Sequence, residues 1–123
     1  MSALTLQTIG VAGTTPSYAA ASASDTCAGI TPDDRVYIHA KNTNAATATV
    51  TVQPVAPTSV TAKGVGAVSV PAIAVTIPAN TGDKLIGPIP AAYIDGTGGI
   101  TIANTGTITN LTLAVIRLPA VSI

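Results

Sequence analysis

Between Asp34 and Gln53 the chain writes one pattern twice: DRVYIHAKNTNAATATVTVQ. Val36, Ile38 and Ala40 alternate with Tyr37, His39 and Lys41, and then Ala48, Val50 and Val52 alternate with Thr47, Thr49 and Thr51. A period of two puts the aliphatic set on one face of a strand and the polar set on the other. Asn42-Thr43-Asn44 lies between the runs, and Asn tolerates the left-handed backbone of tight turns. The pair reads as a hairpin with one face on a core and the other facing outward. The rest of the chain reads as further strands covering the inner face.

What fills that core follows from what is missing. The 123 residues include no Phe, no Trp and no Glu, and Tyr18, Tyr37 and Tyr93 are the only aromatics. Val, Ile, Leu and Ala must therefore supply the apolar volume, each large aliphatic contributing about 1.5–3 kcal/mol when buried. The abundance of β-branched Thr, Val and Ile favours strands. The length suits a single domain spanning 1–123. Only 8% of residues are charged, against about 25% in an ordinary globular chain, and the five basic and five acidic residues cancel. Such a chain has no electrostatic footprint for nucleic acid or an anionic membrane. Near-zero net charge favours association, which points to an oligomer that hides surface. The opening MSALTLQTIGVAG lacks the basic start and continuous apolar block of a signal peptide, and no stretch has the length of a membrane span.

Along the chain, residues 1–33 read as a first strand or extended arm, carried by Leu4, Leu6, Ile9 and Val11, followed by a long loop. From Gly13 to Pro32 there is no period, and Ala19-Ala20-Ala21 suits at most a helical turn. Pro54 and Pro57 end the second run of the opening pattern. Thr58 to Val70 is either a hairpin excursion or an irregular loop. Ile73, Val75 and Ile77 make a strand closed by PANTG, and DKLIGPI returns as its partner in an open register, with Pro88 and Pro90 marking an edge. AAYI suits one helical turn, Ile100 and Ile102 a strand, Asn104-Thr105-Gly106 a turn. In the last strand Leu111, Leu113 and Val115 share one face while Ile116 and Leu118 take the other, as expected of a central strand or one covered by a partner subunit. Seven to nine short strands with turn signals every 8–12 residues predict an all-β, antiparallel β-sandwich of jelly-roll type. Val36, Ile38, Val50, Val52, Val75, Ile77, Ile102, Leu113 and Val115 are its expected inward residues.

The residues that could carry chemistry are few. His39 is the only histidine and Cys27 the only cysteine. A nucleophilic site needs an oriented base, and no G-x-S-x-G is present. One His cannot furnish a transition-metal set. Asp33-Asp34 and Asp95-Gly96 lack the D-x-D alternation of a calcium loop and read as turn residues. Gly96 to Gly99 has neither the helix nor the Lys-Ser/Thr of a phosphate loop. No catalytic residue, metal site, cofactor or small-molecule substrate is expected.

Several segments together resemble small virion proteins of tailed bacteriophages: TPSYAAA at 15–21, DDRVYIHAKN at 33–42, ATVTV at 48–52, VTIPANTGD at 75–83, IGPIP at 86–90 and LAVIRL at 113–118. These are strand-and-turn patterns without a chemical motif. The resemblance implies a capsid decoration, or cement, protein: a jelly-roll-like homotrimer on the capsid exterior, with the major capsid protein as partner and no catalytic residues. Leu4, Leu6 and Ile9 are the candidate capsid or inter-subunit contacts, since an extended arm is a common way to bind another chain. The alternatives are another virion part, such as a head fibre base, a head–tail joining or tail component, and a carbohydrate-binding module, for which aromatic platforms are scarce.

Overall fold

A computed structural model describes residues 2–31, 35–55 and 59–119, of which 59–62 and 67–69 as backbone; Asp33, Asp34 and Pro57 lie outside the described residues. The strands are β1 (Ser2–Leu4), β2 (Leu6–Thr8), β3 (Ala19–Ala20), β4 (Ser24–Cys27), β5 (Val36–Asn42), β6 (Ala48–Val52), β7 (Ser59–Ala62), β8 (Gly66–Ser69), β9 (Ile73–Ile77), β10 (Gly82–Ile86), β11 (Ile100–Gly106) and β12 (Leu111–Arg117), with a 3-10 turn at Ala91–Tyr93. Sheet one runs β1-β4-β11-β6-β9. Sheet two runs β10-β5-β12-β2, with β3 also on β12, and β7-β8 form a sheet of their own. The chain is an all-β sandwich whose two five-stranded sheets share one apolar core.

The expected inward residues are where the alternation puts them. Val36, Ile38, Val50, Val52, Ile77, Ile102, Leu113 and Val115 are buried. Val75, on the edge strand β9, is partly buried and packs on the core. The pairing, however, differs from the hairpins expected. β5 bonds β10 and β12, while β6 bonds β11 and β9, so the two opening runs face each other across the core. β9 and β10 likewise sit in different sheets, as do β11 and β12. The physical reason is that alternation fixes which face is buried and is silent on which strand supplies the ladder. The antiparallel pairs nest instead: β3 with β12, β4 with β11, β5 with β10, β6 with β9.

Three crossings between sheets converge at one end of the sandwich, and asparagines hold them. Asn42, fully buried, donates from Nδ2 to the carbonyls of Ala46 (2.9 Å) and Pro78 (3.2 Å) and accepts from Asn44 N (3.0 Å). Asn44 Nδ2 donates to Thr109 O at 3.1 Å, and Asn80 N to Asn44 O at 2.7 Å. Asn80 and Asn110 both take φ 67°, the left-handed conformation Asn tolerates. With backbone groups at 44 and 46 satisfied by side chains, the chain turns over to the opposite sheet without a hairpin ladder. Gly82, where β10 begins, has room for nothing larger: a Cβ there would stand 2.1 Å from Pro78 O.

Four further expectations are corrected. The segment from Gly13 to Pro32 is not all loop, because it contains β3 and β4. Ala19-Ala20 is strand against Leu113 and Thr112, so no helical turn forms there. β4 escaped the pattern because its inward residues are Asp25 and Cys27. Asn104 is no turn residue: it continues the inward series Ile100, Ile102, Asn104 of β11 and donates from Nδ2 to Ser22 O (2.8 Å) and Asp25 Oδ2 (2.7 Å). Finally, the sandwich is not wholly antiparallel. After one intervening residue, Thr5, the chain passes from β1, parallel to β4, to β2, parallel to β12. The N-terminus thus edges both sheets.

Candidate interaction surface

The outer face of sheet two is built by register. In β5 the outward residues are Tyr37, His39 and Lys41, and β10 sets Leu85 opposite His39 and Asp83 opposite Lys41. On the other side β12 sets Ala114 opposite His39 and Ile116 opposite Tyr37. The loop after β2 folds back over this face. Gln7 ties it, its amide bonding both Ser17 O and Ser17 N at 2.7 Å, and Ile9 N donates to Arg117 O at 3.0 Å. Tyr18 then stands against His39, ring centroids 5.4 Å apart and edge to face, with Lys41 Nζ 4.7 Å from the Tyr18 ring centre.

A polar chain runs through this contact. His39 Nε2 is bonded to Asp83 Oδ1, and Nδ1 lies 2.7 Å from the Tyr18 hydroxyl. A carboxylate only accepts, so the network assigns the proton to Nε2, which leaves Nδ1 to accept from Tyr18. The hydrogen bond from His39 lowers the Asp83 pKa below its ordinary value, helped by the charge of Lys41. His39 faces outward, where the alternation puts it, and has two hydrogen-bond partners, Tyr18 and Asp83. The partner Asp83 lies 44 positions away, and the β5–β10 register that joins them is not legible from either segment alone.

Beside this chain an open groove of about 390 Å³ is walled by Ile9, Pro16, Tyr37, Leu85, Ile116 and Leu118, with Tyr18 and His39 at its polar end. Leu85 is 66% exposed and Leu118 39%. A Tyr-His-Asp sequence of hydrogen bonds has the order of a nucleophile, base and orienting acid. Acyl transfer also needs donors converging on a developing oxyanion, and the groove walls here are hydrocarbon. The arrangement fixes the ring of Tyr18 and shapes an apolar contact surface.

The remaining candidates are placed elsewhere. Leu4 is buried and Leu6 packs on the core from the edge of sheet two, so both serve the sandwich itself. Of the three N-terminal candidates, only Ile9 reaches the groove. Cys27 lies on the inner face of sheet one and His39 on the outer face of sheet two, so the two form no dyad; burial pushes the Cys27 thiol up to about 11. A larger opening, about 480 Å³, adjoins Ile30, Ile94 and the turn at Asp95. Its carboxylate is used locally: Asp95 Oδ1 accepts from Thr97 N (2.8 Å), Thr97 Oγ1 (2.7 Å) and Gly99 N (2.8 Å). The Gly99 and Thr97 bonds hold the Asp95 pKa below the usual carboxylate range. Among the described residues no three His, Cys, Asp or Glu side chains converge as metal ligands, and no helix is long and apolar enough to cross a membrane. No family model, no curated protein and no solved structure matches the chain.

Proposed function

We infer that this chain is a structural protein of a tailed-phage virion, a decoration protein that binds the outer capsid surface as a homotrimer and reinforces the shell. The observation that carries the reading is the apolar groove on the outer face of sheet two. It offers Leu85 and Leu118 to solvent on a chain with zero net charge and few charged residues, which suits burial against another protein. The nested strand pairs support a jelly-roll winding, the architecture the virion resemblance implies: counted over β3 to β6 and β9 to β12, first pairs last, second pairs seventh, third sixth and fourth fifth.

A shell pressed from within by packaged genome fails where subunits meet. A protein that binds the assembled lattice and not loose subunits shifts the balance toward assembly, by about 2.7 kcal/mol per site at a hundredfold excess over Kd. Contact area and copy number do this work, and the major capsid protein is the partner. With Leu4 and Leu6 in the sandwich, the contact moves from a free arm to the groove, where Ile9 forms one wall. The test is heat release of DNA from capsids with and without added protein. Full-length protein should raise the release temperature, and the double variant Leu85→Asp, Leu118→Asp should fold normally yet give no protection. Protection unchanged by the double variant would remove the groove from the account.

A further inference from the structure

We propose that the trimer closes head to tail, the β7–β8 hairpin of one copy adding as strands to the open β9 edge of sheet one in the next. The inference rests on the homotrimer reading above and names the surface that would make it.

The sandwich has four sheet edges, and three are blunted. β1 and β2 are three residues long, and the Gln7–Ser17 bonds tie the loop beside β2. β10 carries Asp83 and Lys84 and runs into Gly87-Pro88. Short edges, charges and proline are the usual defences against added strands. β9 is the least defended of the four, five residues long and uncharged, with Pro78 lying only beyond its end. Ile73-Ala74-Val75-Thr76-Ile77 is five residues without charge or proline, and among the described residues it bonds only β6, leaving its other side open.

The hairpin has the complementary deficit. β7 and β8 bond each other from Ser59–Ser69 to Ala62–Gly66 and, among the described residues, join neither five-stranded sheet. A lone two-stranded hairpin is marginal in water and gains stability from a third strand. Its strands, SVTA and GAVS, are also uncharged, and Val65 at the tip is 76% exposed. Its base is held by the body, through Val55 N to Ala92 O at 3.1 Å and Tyr93 Oη to Pro71 O at 2.5 Å. Donor and acceptor are different surfaces of one chain, so the contact is heterologous. A heterologous contact closes a ring when its rotation divides the circle, here into three, and runs on as an open filament when it does not.

That asymmetry makes the test specific. One variant replaces residues 59–69 with a short Gly-Ser linker and keeps the acceptor edge. The other, Ala74→Lys with Thr76→Lys, keeps the hairpin and charges the edge at two exposed positions. By light scattering after size-exclusion chromatography, full-length protein should give three chain masses, and each variant alone one. The two mixed should form 1:1 dimers, since one supplies only the hairpin and the other only the edge. If the linker variant fails to fold, the doubly charged variant decides alone, read with amide exchange over 73–77, which should be slow in the full-length trimer and fast in the variant. A full-length trimer with variants that remain trimers would overturn the hairpin contact while leaving the trimer standing. A full-length monomer would overturn both.

Discussion

Ile38 gives the sharpest handle on the sandwich. It is fully buried at the middle of β5, flanked by Ile86 of β10 and Val115 of β12. Ile38→Ala removes three carbons, about 2.4 kcal/mol of transfer free energy at about 0.8 per methylene. The cavity left between two sheets that cannot collapse fully raises the cost to about 4 kcal/mol. With an unfolding entropy near 2.1 cal/mol/K per residue, a chain of 123 residues loses roughly 15 °C in Tm. The control is Leu85→Ala, one residue from Ile86 but 66% exposed on the outer face; its cost should stay below about 1 kcal/mol, roughly 4 °C. Thermal melts followed by circular dichroism, at one fixed protein concentration because association shifts Tm, read both. An Ile38→Ala protein melting within about 4 °C of the parent, or a Leu85→Ala protein falling as far as Ile38→Ala, would refute the assignment of faces.

Three other outcomes follow from named contacts. Gly82→Ala drives a methyl to 2.1 Å from Pro78 O, so the crossing must shift; a loss of about 1–3 kcal/mol is expected, read by urea denaturation, and an unchanged midpoint would contradict it. Asp83 and Asp95 have lowered pKa values in the fold, so their contribution is fully present above the unfolded carboxylate value, about 3.9, and is lost as pH falls through the folded values. The Tm difference between parent and Asp83→Asn should therefore shrink below about pH 4, and a constant difference down to acid pH would count against the His39–Asp83 link. Cys27, buried with its thiol pushed up to about 11, should react with a thiol reagent at pH 8 only as fast as the protein opens. Its raised value also means that stability declines as pH climbs from the ordinary thiol value toward 11.

What the sequence revealed and what it hid divide along a physical line. Alternation located the inward residues of β5, β6, β9 and β12, because burial of every second side chain is written in the residues themselves. Pairing is not. The asparagines at 42, 44 and 80 suggest hairpin turns, yet the side chains of Asn42 and Asn44 and the left-handed backbone of Asn80 carry the chain between sheets. β4 is hidden because a buried Asp25 breaks the apolar period, and Asn104 looks like a turn residue although it occupies the next inward position of β11. Both become legible only together, since Asn104 Nδ2 donates to Asp25 Oδ2 across the β4–β11 ladder. Leu4 and Leu6 read as one first strand or extended arm and lie in edge strands of two different sheets. The groove was half visible: Ile116 and Leu118 marked a second apolar face on the last strand, but Tyr18, His39 and Asp83 meet only through long-range register.

The central claim is that this protein clamps an assembled shell. Its most direct test is co-sedimentation of the purified chain with empty, undecorated capsids of a tailed phage. The account predicts saturable binding, with copies per capsid in multiples of three and no binding to unassembled capsid subunits. Protein that stays in the supernatant at every concentration, or that binds free subunits as tightly as capsids, would contradict it.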